Sequence, residues 1–511
     1  MTSTLLMGVD LGTSSTKTVI IDQEGHLLSI AAREYGVDMP HPGWAEQEPQ
    51  VWLQAALETM GQSLAAAGVA AEAVRAIGLS GQMHGTVCLD DRGRVLRPAI
   101  IWADQRSKPQ VDRVYRELGR ERLAAWTANP LATGFMLATW LWLRENEPGI
   151  SEAARHLLLP KDYLRYRLTG ELGSEPSDAS STLMFDTARR CWNDDLLDAL
   201  GIDPIVLPPV GESVALAGGL TAEIAEATGL RVGTPVVYGG GDQAMQAIGN
   251  GIVEPGVVSC TIGTGGQLFA PAHEPSYDPL LRLHLFCHAL PRRWHLMAAI
   301  LSAGLSLKWL RDSVFEGQSY QALADAAAKV TPGSEGLFFL PYLAGERTPH
   351  MDPEARGGFY GLTLRHERGH LVRAVMEGVV FALRQGLELM LDLGVPAERI
   401  VASGGGTQHP LWLQLQADIF NRPIHRTETS EAAAVGAALL AGVGAGIYAD
   451  GETACRRAVR WSEEVINPIP QHVAAYGEAY ESFRRIYPAL RVLRQDEREG
   501  PTNMTTGAQV S

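Results

Sequence analysis

Short apolar runs that are typical of strands alternate with longer helical patterns along most of the chain. In the first half these runs are LLMGVD, AVRAIGLSG, PAIIWAD and VVYGGGD, and in the second half they are GLFFLPYL and RIVASGGG. Strands that alternate with helices in this way favour an α/β fold.

Both halves of the chain begin with the same local pattern. LLMGVDLGTSSTKTVII near the start and VVSCTIGTGGQLFA in the middle each consist of two β-rich runs joined by a Gly-Thr turn. Gly12 and Gly263 lie about half the chain apart, which predicts two related halves that each open with a β-hairpin. The alternative is that such hairpins are simply common. We place the boundary near residue 250, giving domains at 1–249 and 250–490, and expect the polar residues 491–511 to form a disordered tail.

Composition narrows the possible partners. The 511 residues are 46% hydrophobic and carry a formal net charge of −15, so the chain can bury large cores and repels polyanions. We therefore expect no nucleic-acid partner. The five cysteines are widely spaced without a C-x-x-C pair, which indicates a reducing compartment. The N-terminus lacks a signal-peptide pattern, and the uncharged stretch 432–449 is rich in alanine and glycine, so we expect a cytoplasmic protein with no membrane span.

The first Gly-Thr turn carries a candidate phosphate and metal site. Asp10 ends an apolar strand and is followed by Gly12, Thr13 and Ser14, so a carboxylate stands beside small residues and hydroxyls. This arrangement suits Mg²⁺ and phosphate, and no P-loop motif is present to hold the phosphate instead. The alternative is ordinary turn chemistry for the Asp-x-Gly sequence.

Two further glycine-rich segments are suited to a nucleotide. Gly263 and Thr264 form the second turn, where backbone can approach a phosphate closely. Gly404, Gly405 and Gly406 follow a strand and precede a helical pattern, so adenosine could lie against bare backbone. The alternatives are an ordinary hairpin and a helix entry that needs room.

A carboxylate and several polar groups are candidates for the acceptor side of the reaction. Asp242 follows three glycines, and phosphoryl transfer to an alcohol needs such a carboxylate as general base. The alternative is a helix N-cap. Met83, His84 and Asp104 follow apolar strands and can contact sugar hydroxyls, although the histidine could be structural and Asp104 could pair with Arg106.

Together these segments resemble the FGGY carbohydrate kinases, which share the fold of actin, hexokinase and the Hsp70 ATPase. The resemblance implies two ribonuclease-H-like domains with ATP and sugar in the cleft between them. It implies Asp242 as the base, Met83 and His84 as sugar contacts, and Asp10 as the Mg²⁺-associated carboxylate. The segments that carry it are MGVDLGTSSTK, HPGWAEQEP, GLSGQMHG, LRPAIIWADQR, LLLPKDYLRYRLTGE, GGGDQA, FCHALPRRWHLM, FFLPYLAGERTPH, GFYGLT and VASGGG.

The same resemblance implies which residues contact the phosphates of ATP and which sugar is the substrate. Ser14 and Lys17 lie in the first phosphate motif, beside Thr13. The sugar-site segments are most similar to those of kinases that act on D-xylulose, with D-ribulose as the runner-up. Dimers are common in the family, so a homodimer is expected.

Two positions depart from the family pattern. Gln243 stands where some of the kinases that act on D-xylulose have asparagine, and a side chain longer by one methylene could change hydroxyl contacts. The adenosine loop reads GGGTQHP where many relatives have GGGA followed by a basic residue and serine, so we expect different adenine contacts.

Two other classes of protein use this fold. An interaction protein of the Hsp70 or actin type would lack the GQMHG and GGGD motifs. A sugar-sensing repressor would normally carry a DNA-binding helix-turn-helix before the first strand, and the first strand here begins by Leu5.

Overall fold

A computed structural model describes residues 4–499 of the chain, with side chains described up to Val492. Residues 1–3 and 500–511 lie outside the described part. Within residues 4–499, no helix combines the length and the apolar character needed to cross a bilayer.

The first half of the chain is built from thirteen strands and ten α-helices within the described residues. The strands are β1 Leu5–Leu11, β2 Ser15–Asp22, β3 Leu27–Glu34, β4 Glu46–Gln47, β5 Val74–Gly81, β6 Val87–Leu89, β7 Ala99–Ile100, β8 His156–Leu158, β9 Phe185–Asp186, β10 Cys191–Trp192, β11 Leu216–Gly219, β12 Pro235–Val237 and β13 Gly240–Gly241. The helices are α1 Pro49–Ala67, α2 Lys108–Leu118, α3 Arg120–Thr127, α4 Met136–Asn146, α5 Pro148–Ala153, α6 Pro160–Thr169, α7 Pro176–Ala179, α8 Asp194–Ala199, α9 Ala222–Thr228 and α10 Asp242–Gly249.

The second half has longer helices and fewer strands. Its strands are β14 Gly256–Ile262, β15 Gly266–Ala272, β16 His284–Cys287, β17 Trp294–Ile300, β18 Phe338–Leu340, β19 Gly358–Tyr360, β20 Ala397–Gly404 and β21 Ile424–Arg426. Its helices are α11 Gly304–Ser313, α12 Tyr320–Ala328, α13 Arg368–Asp392, α14 Pro410–Phe420, α15 Ala432–Gly444, α16 Gly451–Ala458 and α17 Pro470–Glu499.

The main sheets of the two halves have the same strand pattern. In the first sheet β1, β2 and β3 form an antiparallel meander, and β5 and then β12 continue the sheet from β1 in parallel. In the second sheet β14, β15 and β17 form the meander, and β20 and then β21 continue it in parallel. The repeated pattern confirms the prediction of two related halves with a ribonuclease-H-like fold.

Helix α15 belongs to the second half by sequence but packs on the first sheet. Its alanines share a buried cluster with Leu6 of β1 and Ala76 of β5. A side chain at Gly8 would come within 1.8 Å of the carbonyl oxygen of Ala434, so the strand can meet the helix only as glycine. The small residues of the uncharged stretch 432–449 therefore serve close packing, as expected, and the boundary near residue 250 separates the sheets but not their helices.

The two halves also meet through the long segment 82–215, which connects β5 and β11. Asn129 of this insertion donates to the carbonyl oxygen of Leu285 at 2.6 Å and accepts from the N–H of the same residue at 3.0 Å. The N–H of Cys287 donates to Ser180 Oγ at 3.1 Å. These hydrogen bonds hold strand β16 of the second half against the first half of the chain.

The expectation for the tail needs a correction. Helix α17 runs from Pro470 to Glu499, so residues 491–499 are helical where we expected disorder. The helix is anchored by buried aromatic side chains, since the hydroxyls of Tyr476 and Tyr480 donate to Glu377 and Glu388, both at 2.7 Å. The rest of the expected tail, residues 500–511, lies outside the described part.

Candidate active site between the two halves

The first glycine of each hairpin turn donates a hydrogen bond within the turn, to a carbonyl three residues on in the first turn and two residues on in the second. The N–H of Gly12 donates to the carbonyl oxygen of Ser15 at 3.0 Å, and the N–H of Gly263 donates to that of Gly265 at 2.9 Å. Within the described residues, the N–H groups of Thr13 and Thr264, and of the residue after each, have no hydrogen-bond partner. Each turn therefore presents two adjacent N–H groups, the arrangement that holds phosphate oxygens.

The side chains around the first turn hold it in place. Thr13 Oγ1 accepts from the indole N–H of Trp102 at 2.8 Å, and the Thr13 carbonyl accepts from Gln47 Nε2 at 2.8 Å. The carbonyl of Ser14 accepts from the N–H of Tyr35 at 3.0 Å, and the Ser14 side chain is exposed. These bonds engage hydroxyl and carbonyl oxygens of the turn and leave its N–H groups open.

Lys17 is engaged in an ion pair that the sequence did not indicate. Its Nζ lies 2.6 Å from Glu431 Oε2, and both side chains are partly exposed. Glu431 is the residue before α15, so the pair ties the first hairpin to the second half of the chain. Lys17 stands beside Asp10 in the β1–β2 register, where its charge favours the ionised carboxylate.

Asp10 and Asp242 emerge at the same edge of the first sheet. Both β1 and β13 run parallel to β5, with Asp10 beside Ser80 and Gly241 beside Gly81. Ser80 Oγ donates to Asp10 Oδ1 at 2.6 Å. Burial raises the pKa of Asp10, against the opposing effects of Ser80 and Lys17.

Asp242 has a strongly shifted pKa. Burial, the largest cause, and the nearby charge of Asp10 together raise the pKa of its carboxyl group to about 7, against hydrogen bonds from Gln243 that lower it. The N-cap of α10 is Gly241, so Asp242 is the first helical residue and its side chain makes no cap. A carboxylate that titrates near neutral pH is suited to general-base catalysis.

His84 lies where the two halves meet. Its ring centroid is 4.1 Å from that of Phe135 in the first half and 6.1 Å from that of Phe286 in the second. Burial, the largest cause, and the charge of Arg347 lower the pKa of His84 to about 4, against the hydrogen bond to Ser181 that raises it, so the ring is neutral. Its Nδ1 lies 2.9 Å from the carbonyl oxygen of Ser181, which can only accept, so Nδ1 carries the proton. Nε2 has no protein partner in the described part of the chain and is left as an acceptor.

Met83 packs against the residue before Asp242, Gln243 follows Asp242 in α10, and Asp104 is engaged in an ion pair. A Cβ placed on Gly241 would approach Met83 within 3.0 Å, so Met83 packs directly against the residue before the base. Asp104 is 1% exposed, and its oxygens accept from the N–H of Ala45 at 2.7 Å and from the Arg106 guanidinium at 2.8–3.0 Å. Both oxygens of Asp104 are thus engaged in the ion pair that the sequence offered as the alternative, and its contact with a sugar stays a prediction.

A cavity of about 400 Å³ opens beside the second turn. Gly263, Thr264, Gly405 and Gly406 line it, as the sequence predicts for a nucleotide site, whereas Gly404 faces a neighbouring polar cavity. The rest of the wall consists of Gln408 and His409 of the GGGTQHP loop and of residues that the sequence did not single out. The latter are Ile262, Gly304, Leu305, Leu307, Lys308, Tyr320, Gln321, Ala324 and Trp412.

Helix α11 is joined to the second turn at its N-terminus. The N–H of Gly304 donates to the Gly263 carbonyl at 2.8 Å, and the N–H of Leu305 donates to the Thr264 carbonyl at 3.1 Å. A Cβ at Gly304 would lie 2.4 Å from the Gly263 oxygen, so this approach requires glycine. The only sequence signal for this contact is a glycine after the apolar run AAILSA.

The unusual residues of the adenosine loop have structural roles. His409 caps helix α14 by accepting from the N–H of Leu411 at 3.0 Å, and its Nε2 lies 3.3 Å from Asp325. Thr407 Oγ1 donates to the Gly404 carbonyl at 2.8 Å. The departure from the family pattern thus keeps the loop in place beside the cavity.

Family models match both halves of the chain. The N-terminal domain of the FGGY family of carbohydrate kinases matches residues 5–249, and the C-terminal domain of the same family matches residues 258–445. The chain belongs to the FGGY family of carbohydrate kinases. As a kinase of this family it uses ATP.

Similar proteins cover nearly the full length. The xylulose kinase of Escherichia coli is 38% identical over 493 residues, covering 95% of this chain and 99% of that protein. The gluconokinase of Bacillus subtilis is 30% identical over 500 residues, covering 96% and 95% respectively. The crystal structure of xylulose kinase from Rhodospirillum rubrum superimposes with a TM-score of 0.91 at 32% identity, covering 96% of this chain and all of that one.

Proposed function

We propose that this chain transfers the γ-phosphoryl group of ATP to O5 of D-xylulose, yielding D-xylulose 5-phosphate and ADP in pentose catabolism. Two observations support the substrate: full-length similarity to proteins named xylulose kinase, and the Met83–His84 pair beside the base. The proposal depends mainly on Asp242. Its carboxyl group has a pKa near 7 and lies at the same edge of the sheet as Asp10.

Asp242 acts as the general base. It accepts the proton of the O5 hydroxyl as that oxygen bonds to the γ-phosphorus and the bond to the ADP oxygen breaks. The pKa near 7 leaves a large fraction of Asp242 ionised at neutral pH, yet basic enough to take the proton. Gln243 follows the base and can contact a neighbouring hydroxyl.

His84 and Met83 hold the sugar. The neutral His84 ring offers Nε2 as an acceptor for a hydroxyl, while Nδ1 is committed to Ser181. Met83 packs against Gly241 and supplies an apolar wall next to the base. D-Xylulose and D-ribulose differ only in configuration at C3, so a directional acceptor of this kind can discriminate between them.

The two turns and the cavity hold the nucleotide. The free N–H groups of Thr13 and Ser14, and those at Thr264, are assigned to the phosphates, and the cavity beside Gly405 and Gly406 to adenosine. Closure of the two halves over this site would exclude water that competes with the sugar for the γ-phosphate.

The residues at the sheet edge fit Mg²⁺ bound together with ATP. In the described residues no cluster of three or more His, Cys, Asp or Glu side chains could hold a metal by itself. Mg²⁺ in phosphoryl-transfer sites is bound through one or two carboxylates plus phosphate oxygens and water, and Asp10 supplies such a carboxylate. The ion would neutralise phosphate charge. Asp10 is kept in place for this role by Ser80.

The decisive assay is the dependence of ADP formation on sugar. Purified protein with Mg·ATP should form ADP in equal amount to D-xylulose consumed, and the product should be identified by NMR as phosphorylated at O5. ADP formation at the same rate without sugar would instead favour a nucleotide-driven interaction protein.

We further propose that the protein works in the cytoplasm as a homodimer. A reducing compartment agrees with the five free cysteines, four of which are buried without disulfide partners. Light scattering of the purified protein tests the dimer, and a mass equal to one chain would refute it.

A further inference from the structure

A fully buried ionic cluster lies behind the proposed base. Lys161, Asp162, Glu175 and Asp178 are all 0% exposed. Lys161 Nζ lies 2.6 Å from Asp162 Oδ1, 3.5 Å from Glu175 Oε1 and 3.7 Å from Asp178 Oδ2. Buried charges are costly even when they are paired, and apolar side chains of similar volume often stabilise a fold equally well. The cluster therefore calls for a role other than stability.

One arm of the cluster reaches the base. Ser177 Oγ donates to Glu175 Oε1 at 2.9 Å and accepts from the N–H of Gly241 at 3.0 Å. Glu175 also accepts from the N–H of Ser177 at 2.8 Å, so the serine is held at two points. Gly241 immediately precedes Asp242, so this arm fixes the backbone from which the base projects.

The other arm reaches the sugar contact. Ser181 Oγ donates to Asp178 Oδ1 at 3.3 Å and accepts from the N–H of His84 at 3.3 Å. The carbonyl of Ser181 binds His84 Nδ1 at 2.9 Å. His84 has a φ of 71°, a strained value for a residue other than glycine, and these contacts hold it there.

The pKa values of two cluster residues, Lys161 and Asp178, are shifted by burial and by their neighbours. Burial opposes the charge of Lys161, but the carboxylates of Asp162, Glu175 and Asp178 outweigh it and raise the pKa of Lys161, so the cation persists. Burial raises the pKa of Asp178 well above its ordinary value, against the pull of Lys161, and the charge of Asp242 adds to the effect.

We propose that Lys161 and its three carboxylates form a positioning cluster that fixes the base Asp242, through Ser177, relative to the sugar contact His84, through Ser181. The cluster residues do not touch the substrate and act only through the two serines. This inference rests on the proposed function, because it assumes that Asp242 and His84 are the reacting and binding groups.

The two arms can be tested separately because each passes through one serine. Ser177→Ala and Ser181→Ala each remove one hydroxyl and leave the buried charges in place, whereas removal of Lys161 would leave carboxylates unpaired and endanger folding. Ser29→Ala is the matched control, since Ser29 is also buried and bonds to Ser63 at 2.7 Å and 2.8 Å, outside these two arms.

The expected result is a split between kinetic constants. Ser177→Ala should lower kcat on the order of 10²-fold, the effect of a small misplacement of a reacting group, with the ketose KM nearly unchanged. Ser181→Ala should raise the ketose KM roughly 2- to 10-fold, the equivalent of one hydrogen bond, with kcat largely kept. The KM for ATP should stay constant in both variants, and Ser29→Ala should match the wild type.

Two results would overturn the inference. If both serine variants match Ser29→Ala, the cluster does not position the site. If both variants show a lower kcat and a higher ketose KM, and these changes follow a lowered melting temperature, the role of the cluster is only structural. The wild-type protein in the same assay tests the proposed function independently, because failure there appears as absence of ketose phosphorylation before any variant is compared.

Discussion

Asp10 and Asp242 leave the first sheet on two strands that both run parallel to β5, and the charge of Asp10 contributes to raising the pKa of Asp242. The metal-associated carboxylate and the base are therefore electrostatically linked. A change at Asp10 should alter the titration of Asp242 as well as the use of Mg·ATP.

The pH dependence of the reaction follows from this link. Asp242 must be ionised to act as base, and its folded-state pKa is about 7, so kcat/KM for the ketose should fall about tenfold per pH unit below 7 and level off above it. The residual activity of Asp10→Asn should show its midpoint at lower pH, because a neutral side chain no longer disfavours the Asp242 charge. A profile that is flat from pH 5.5 to 8.5 would contradict the assignment of the base.

Asp242→Asn should lower kcat by about 10²- to 10⁴-fold while the affinity for ATP is largely kept, since the amide cannot take the proton. Asp91→Asn, at an exposed position in the turn after β6, is the matched control and should be fully active. Turnover is measured by coupled ADP release and nucleotide affinity by calorimetry. Near wild-type turnover of Asp242→Asn would show that Asp242 is not the general base.

Asp242→Asn should also be more stable than the wild type at alkaline pH. The raised pKa means that ionised Asp242 is disfavoured in the folded state, so its cost develops between the unfolded value of 3.8 and about 7 and is complete above 7. Melting temperatures of the two proteins should converge toward pH 4 and separate by pH 8. The opposite ordering at pH 8 would show that the carboxylate is stabilised by partners.

His84→Ala should raise the KM for the ketose roughly 2- to 10-fold, with little change in the KM for ATP, because it removes the acceptor at Nε2. His273→Ala, at an exposed position on the surface, should leave both constants unchanged. Initial rates with each substrate varied in turn give the two constants. An equal rise in both KM values would indicate a general disturbance of the cleft.

Ala324→Leu should raise the KM for ATP and spare that for the ketose, since Ala324 lines the cavity assigned to adenosine and leucine would occupy part of its volume. Ala322→Leu on the same helix is exposed and serves as the control. If both variants bind ATP as the wild type does, adenosine lies elsewhere.

Much of the fold and the site could be predicted from contiguous motifs. Each of these motifs lies within a few consecutive residues, so its conformation depends on its own sequence. They are the hairpins at Gly12 and Gly263, the glycine-rich loop at Gly405 and Asp242 after three glycines. The duplication was visible because each hairpin begins one half.

What the sequence did not reveal depends on contacts between distant residues. Lys17 pairs with Glu431, 414 positions away, and α15 returns to the first sheet across nearly the whole chain. Asp104 pairs with Arg106 and accepts from the N–H of Ala45, and Arg106 pairs in turn with Glu46, so the ionic network includes a separate segment of the chain. The helix at 491–499 forms because aromatic residues upstream in α17 are buried, which the polar tail sequence does not indicate.

The assigned substrate is tested by kcat/KM for ATP-dependent phosphorylation measured in parallel on D-xylulose, D-ribulose, L-ribulose, glycerol and gluconate. We expect the highest value for D-xylulose, because discrimination by hydrogen bonds in a directional pocket can reach about 10⁴- to 10⁵-fold. A higher value for any of the other four would contradict the assigned substrate, and no phosphorylation of any of the five would contradict the proposed activity itself.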